Sequence, residues 1–83
     1  MELTVKVKLG DMPTMRRVAQ AAAKMSTFES RVLLRRGDIT VNAKSLIGLL
    51  SLGLKDGEGV TIIAHGEDEA QAVCAMADLL QNN

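Results

Sequence analysis

The chain has 83 residues, 47% hydrophobic and 24% charged, the composition of a single globular domain over residues 1–83 rather than a disordered or multidomain chain. Ten lysines and arginines balance ten aspartates and glutamates, so the basic excess that non-specific nucleic-acid binding requires is missing. One phenylalanine with no tryptophan or tyrosine leaves no stacking platform for single strands, and one cysteine excludes an internal disulfide or a cysteine zinc cluster.

From the N-terminus, Leu3, Val5, Val7 and Leu9 alternate with Thr4, Lys6 and Lys8, the period of a half-buried strand ended by Gly10-Asp11. This segment does not read as a signal peptide, and no segment approaches the ~20 apolar residues that span a bilayer. A cytoplasmic chain with a reduced thiol at Cys74 is the expectation. Val18, Ala21, Ala22 and Met25 then recur at helical spacing, with Thr14 a candidate N-cap and Ser26-Thr27 the stop. Arg31 to Arg36 predicts a second strand with Val32 and Leu34 on one face. Gly37-Asp38 is a turn, and Ile39 and Val41 resume the alternation, giving a β-hairpin. The adhesion-like triplet Arg36-Gly37-Asp38 is read as that turn.

Ser45 stands as an N-cap before a short apolar helix, Leu46-Ile47-Gly48-Leu49-Leu50, with Gly53 as its stop. So short a helix cannot bury four large apolar residues on one side, so some must be exposed as a patch of the kind that docks partners. Val60, Ile62 and Ala64 define a fourth strand, with His65 pointing to the opposite face. Gly66 opens a last helix with Glu67, Asp68 and Glu69 in its first turn, where the dipole favours negative charge. Ala70, Val73, Ala77 and Leu80 are its expected apolar stripe, beside which Cys74 is expected as a small buried or half-buried thiol. The order is strand, helix, strand, strand, short helix, strand, helix. Alternation on the strands predicts an α+β open-faced sandwich, with one face of the sheet wet and the other covered by helices.

No conventional catalytic set and no metal or cofactor site is expected. Two places depart from local rules. Arg16 and Arg17 put two cations at the positive end of the first helix, at a local cost of about 0.3–1 kcal/mol each. They are either two solvated side chains or, with free backbone N–H groups, an anion-attracting pair. Ser45 is either a plain cap or a hydroxyl that accepts phosphate facing those N–H groups.

The run Val41-Asn42-Ala43-Lys44-Ser45-Leu46-Ile47-Gly48-Leu49-Leu50-Ser51-Leu52-Gly53 closely resembles the regulatory-serine segment of HPr, the small phosphocarrier of the bacterial sugar phosphotransferase system. The likeness continues through Gly66-Glu67-Asp68-Glu69-Ala70-Gln71-Ala72-Val73. It implies a four-stranded antiparallel sheet covered on one face by three helices, in the order βαββαβα. HPr proteins carry a glycine, an aliphatic residue and then His-Ala-Arg-Pro-Ala at the first helix, and that histidine carries the phosphate. Here the stretch is Met12-Pro13-Thr14-Met15-Arg16-Arg17-Val18: Thr14 replaces the histidine, Arg16 matches the arginine, and Arg17 replaces the proline. A threonine hydroxyl is a poor nucleophile without an activating base.

The chain is therefore most similar to the histidine-lacking HPr-like regulators of catabolite repression, although that group usually has glutamine where Thr14 stands. The resemblance implies a non-enzymatic phosphoprotein, modified on Ser45 by HPr kinase/phosphorylase. It would then act as corepressor of a catabolite control transcription factor of the LacI type. Arg16, Leu46, Ile47 and Leu50 would contact partners, with no direct binding to nucleic acid or membrane. The chain would be a monomer or weak homodimer. The alternatives are an unconventional phosphocarrier using Thr14 or His65, and a docking module for another protein.

Overall fold

The computed structural model describes residues 1–8 and 14–81. Leu9, the Gly10-Asp11 strand end, Met12 and Pro13 lie outside the described residues, as does the side chain of Thr14. Seven elements follow in order: β1 (Glu2–Lys6), α1 (Thr14–Met25), β2 (Arg31–Arg36), β3 (Ile39–Asn42), α2 (Leu46–Leu52), β4 (Gly59–His65) and α3 (Glu69–Gln81). The strands form one antiparallel sheet in the order β1-β4-β2-β3, with Val5 opposite Val60, Leu34 opposite both Ile62 and Val41, and Thr4 opposite Thr61. This is the four-stranded, three-helix open-faced sandwich that the alternation predicts.

Period-two patterning sends Val5, Val32, Leu34, Val60, Ile62 and Ala64 to the covered face, where they are buried. Leu3 shares their parity but lies on an edge strand and stays 43% exposed. The opposite face is polar where β1 meets β4, with Thr4 and Thr61 hydroxyls 2.9 Å apart. α3 packs on β1, β2 and β4, α1 lies against α3, and α2 abuts α1 and β3. From α1, Val18, Ala21, Ala22 and Met25 enter the core, the stripe that its spacing predicts. Burying a side chain of this kind contributes about 1.5–3 kcal/mol for the larger ones. No helix among the described residues is long and apolar enough to cross a membrane.

Four expectations are corrected. α3 begins at Glu69 rather than Gly66, and Asp68 supplies the first helical carbonyl, accepting from Ala72 N–H at 2.9 Å. Its buried stripe is Ala72, Val73, Met76 and Leu80, not Ala70, Val73, Ala77 and Leu80. The helix has alanine on several faces, so spacing alone leaves its rotation open by about one residue. Cys74 accordingly turns outward and is exposed.

The fourth correction is Arg17. It is neither solvated nor displayed to an anion beside Arg16: it is 2% exposed, and its Nη1 donates to the carbonyls of Lys8 (3.0 Å) and Leu79 (2.7 Å). Leu79 lies in the last turn of α3, the negative pole of that helix. The guanidinium therefore escapes the unfavourable pole of its own helix by meeting the favourable pole of its neighbour. Arg16 remains exposed.

Candidate functional site

The candidate site is the junction of β3 and α2. Asn42 builds the turn: its side-chain oxygen accepts from Lys44 N–H at 2.9 Å and its carbonyl from Ser45 N–H at 3.0 Å, the local bonding by which asparagine shapes turns. Ala43 is fully buried in the core. The Lys44 ammonium donates to the Phe28 carbonyl at 2.7 Å, tying this turn to the segment after α1. Ser45 has extended backbone angles (φ −101°, ψ 119°), and its hydroxyl oxygen accepts from Gly48 N–H at 3.1 Å while its carbonyl accepts from Leu49 N–H at 3.0 Å. That is the geometry of an N-cap, worth about 1 kcal/mol. α2 ends at Gly53, whose left-handed φ of 68° suits glycine and lets its N–H reach the Leu50 carbonyl.

Within α2 the apolar residues divide as so short a helix requires. Leu49 and Leu52 are buried, whereas Leu46 (40%), Ile47 (75%) and Leu50 (39%) are exposed. The half-buried Ser45 thus sits at the head of an exposed apolar helix face. Arg16 lies in the first turn of α1, which abuts α2, next to the exposed Met15. Thr14 is the first residue of α1. His65 ends β4 and is exposed, its parity placing it on the face of the sheet away from the helices. The structure therefore sets Ser45 immediately before α2, whose exposed apolar residues are Leu46, Ile47 and Leu50, with Arg16 on the neighbouring α1 and His65 on β4. Among the described residues, no three of the His, Cys, Asp and Glu side chains form a group able to hold a metal.

Sequence reasoning missed Asn42 and Lys44 as the residues that shape the approach to Ser45, and Met15 as an exposed apolar neighbour. An asparagine two residues before a lysine at a strand end is the turn signal that points to the first. It also read the acidic run only as helix-start charge. In the structure the Asp68 carboxylate accepts from the backbone N–H groups of Glu29 and Ser30, each at 2.9 Å, and from the Ser30 hydroxyl. The Ser30 hydroxyl, followed by the Glu29 N–H, holds the Asp68 carboxyl below its ordinary value.

The family model described as "PTS HPr component phosphorylation site" matches residues 1–82. The HPr-like protein Crh of Bacillus subtilis is 39% identical over 77 residues, covering 93% of this chain and 91% of that protein. The crystal structure of phosphocarrier protein HPr from Bacillus anthracis superposes with a TM-score of 0.92 at 30% identity, over 98% of this chain and 96% of that one. The crystal structure of Bacillus subtilis Crh, described as a domain-swapped dimer of a catabolite repression protein, gives a TM-score of 0.75 at 37% identity, over 92% and 83%. By sequence and by fold, the chain belongs to the HPr family.

Proposed function

We propose that this chain is a non-enzymatic regulatory phosphoprotein of one domain, acting in the cytoplasm, in which Ser45 is the switch and Thr14 has ended the phosphocarrier role. HPr kinase/phosphorylase adds phosphate to Ser45 from ATP. The modified chain then serves as corepressor of a LacI-type catabolite control transcription factor. Ile47, Leu50 and Leu46 provide the apolar contacts and Arg16 a cationic one. The observation that carries this reading is the half-buried Ser45 hydroxyl at the head of a helix whose face exposes Leu46, Ile47 and Leu50.

Three arguments support it. A threonine hydroxyl needs a base to become a nucleophile and forms a phosphate ester too stable to hand on, whereas an imidazole transfers readily. His65 lies on a different element and face from Thr14, so it cannot stand in at the mouth of α1. Relatives of comparable length include Crh proteins, one of which is described as a catabolite repression protein. That protein's swapped dimer also makes weak self-association of this chain part of the proposal.

The test is intact-mass analysis after incubation with HPr kinase/phosphorylase and ATP. One phosphate per chain is expected, and none on Ser45→Ala. Absence of phosphate from Ser45 under conditions that fully modify a cognate HPr would overturn the reading. Incubation with enzyme I and phosphoenolpyruvate is expected to leave the chain unlabelled. An acid-stable label there would assign carrier chemistry to Thr14, and an acid-labile one to His65.

A further inference from the structure

Gly48 occupies the third position of α2, where glycine is a poor helix former because it loses more backbone freedom than alanine and contributes no side chain. The described glycines with positive φ are Gly37, Gly53, Gly57 and Gly66, so no left-handed backbone calls for glycine at position 48. Its surroundings distinguish it. A Cβ built there would lie 3.4 Å from both Cβ and Oγ of Ser45, and 3.3 Å from the Asn42 carbonyl oxygen. The contacts with Ser45 are ordinary, and the one with Asn42 is tight by a few tenths of an ångström. A methyl group would therefore fit the fold with a small shift, but it would stand against the serine hydroxyl.

We infer that Gly48 is a positioning residue for phosphorylation of Ser45. It keeps one side of the hydroxyl open to a phosphoryl donor while its own N–H fixes the oxygen. The inference rests on Ser45 being the modified residue. One lone pair of Oγ is held by Gly48 N–H at 3.1 Å. The other forms the new bond to the γ-phosphorus of a nucleoside triphosphate. The bond from that phosphorus to its bridging oxygen breaks, nucleoside diphosphate leaves, and the hydroxyl proton passes to a base of the kinase. The non-bridging phosphoryl oxygens must come to rest around Oγ, and a side chain at position 48 intrudes on that space. A methyl group in van der Waals contact with the reacting oxygen competes with the incoming phosphoryl group for that space, and transfer depends on close in-line approach. The exposed docking residues Ile47 and Leu50 are untouched by a change at 48, so binding and transfer respond separately.

The experiment compares wild type, Gly48→Ala and Ser51→Ala, all as full chains, with HPr kinase/phosphorylase and ATP. Ser51 is exposed on the same helix and serves as the control. Gly48→Ala is expected to lower kcat by about tenfold or more. KM is expected to stay within about twofold, and thermal unfolding to show the chain folded at the assay temperature. Ser51→Ala is expected to match wild type. An unchanged kcat for Gly48→Ala, or an equal fall for Ser51→Ala, would overturn the inference. So would loss of the fold in Gly48→Ala, since the glycine would then serve packing alone. If wild type takes up no phosphate, the reading of Ser45 itself fails, and this inference falls with it.

Discussion

Two serines in this molecule each stand against a glycine near the start of a helix, and the two places differ in how closed they are. Ser30 is 1% exposed, its hydroxyl and backbone N–H are spent on Asp68, and a Cβ on Gly66 would come 2.7 Å from its Cα. Ser45 is half-buried, its oxygen accepts a single N–H, and the corresponding Cβ on Gly48 would stay 3.4 Å away. Less than an ångström separates a contact that no side chain can enter from one that a methyl group would merely crowd. The first joint is a clamp between α3 and the lead into β2. The second leaves a hydroxyl that chemistry can reach.

The largest expected effect breaks the clamp. Gly66 has φ of 151°, a conformation that L side chains rarely adopt, and its added methyl would meet the Cα of Ser30 at 2.7 Å and its Cβ at 2.9 Å as well as its hydroxyl, which is held by Asp68. Gly66→Ala is expected to cost about 3 kcal/mol in urea unfolding, the sum of backbone strain and overpacking. A loss no larger than that of an ordinary surface substitution would mean that the segment around Ser30 yields freely.

A smaller effect titrates the same joint. Because the Asp68 carboxyl is held below its ordinary value of 3.8, its contribution to stability is complete above that value. It is lost as pH falls through the lower value of the folded state. Acid unfolding of Asp68→Asn is expected to lack this part of the pH dependence. Identical acid profiles for the two proteins would show that the carboxylate does not secure the clamp.

The smallest effect on stability belongs to the open joint. Ile47 is 75% exposed, so Ile47→Asp is expected to change the unfolding free energy by no more than about 0.5 kcal/mol. The same variant is expected to weaken association with the kinase and the regulator. Unfolding of this variant, seen by circular dichroism, would place Ile47 in the core and remove the docking face from the proposal.

Much of this architecture is legible in the sequence because it is local. Period two in Val60, Ile62 and Ala64, and helical spacing in Val18, Ala21, Ala22 and Met25, name the buried positions without any knowledge of their partners. The cap at Ser45 and the stop at Gly53 are equally local, and the shortness of their helix requires that some of Leu46, Ile47, Leu49 and Leu50 be exposed without saying which. What escaped depends on distance along the chain. Arg17 is buried because it meets the carbonyl of Leu79, 62 residues away, and Asp68 is a clamp because Ser30, 38 residues earlier, returns to it. Cys74 was misplaced for a different reason. Its helix is so rich in alanine that hydrophobic period does not choose between neighbouring faces, and packing against β1, β2 and β4 makes the choice.

The strand order also determines when the molecule can be assembled. β4 is the only strand among those described that touches two non-neighbours in sequence, β1 on one side and β2 on the other. Until Gly59 and the residues after it leave the ribosome, β1 has no mate, and the one pairing available is the β2–β3 hairpin, which is marginal by itself. The sheet therefore cannot be completed until the residues from Gly59 onward arrive. The exposed face of α2 is likewise defined only once α1 and β3, the elements it packs against, are held in the completed fold.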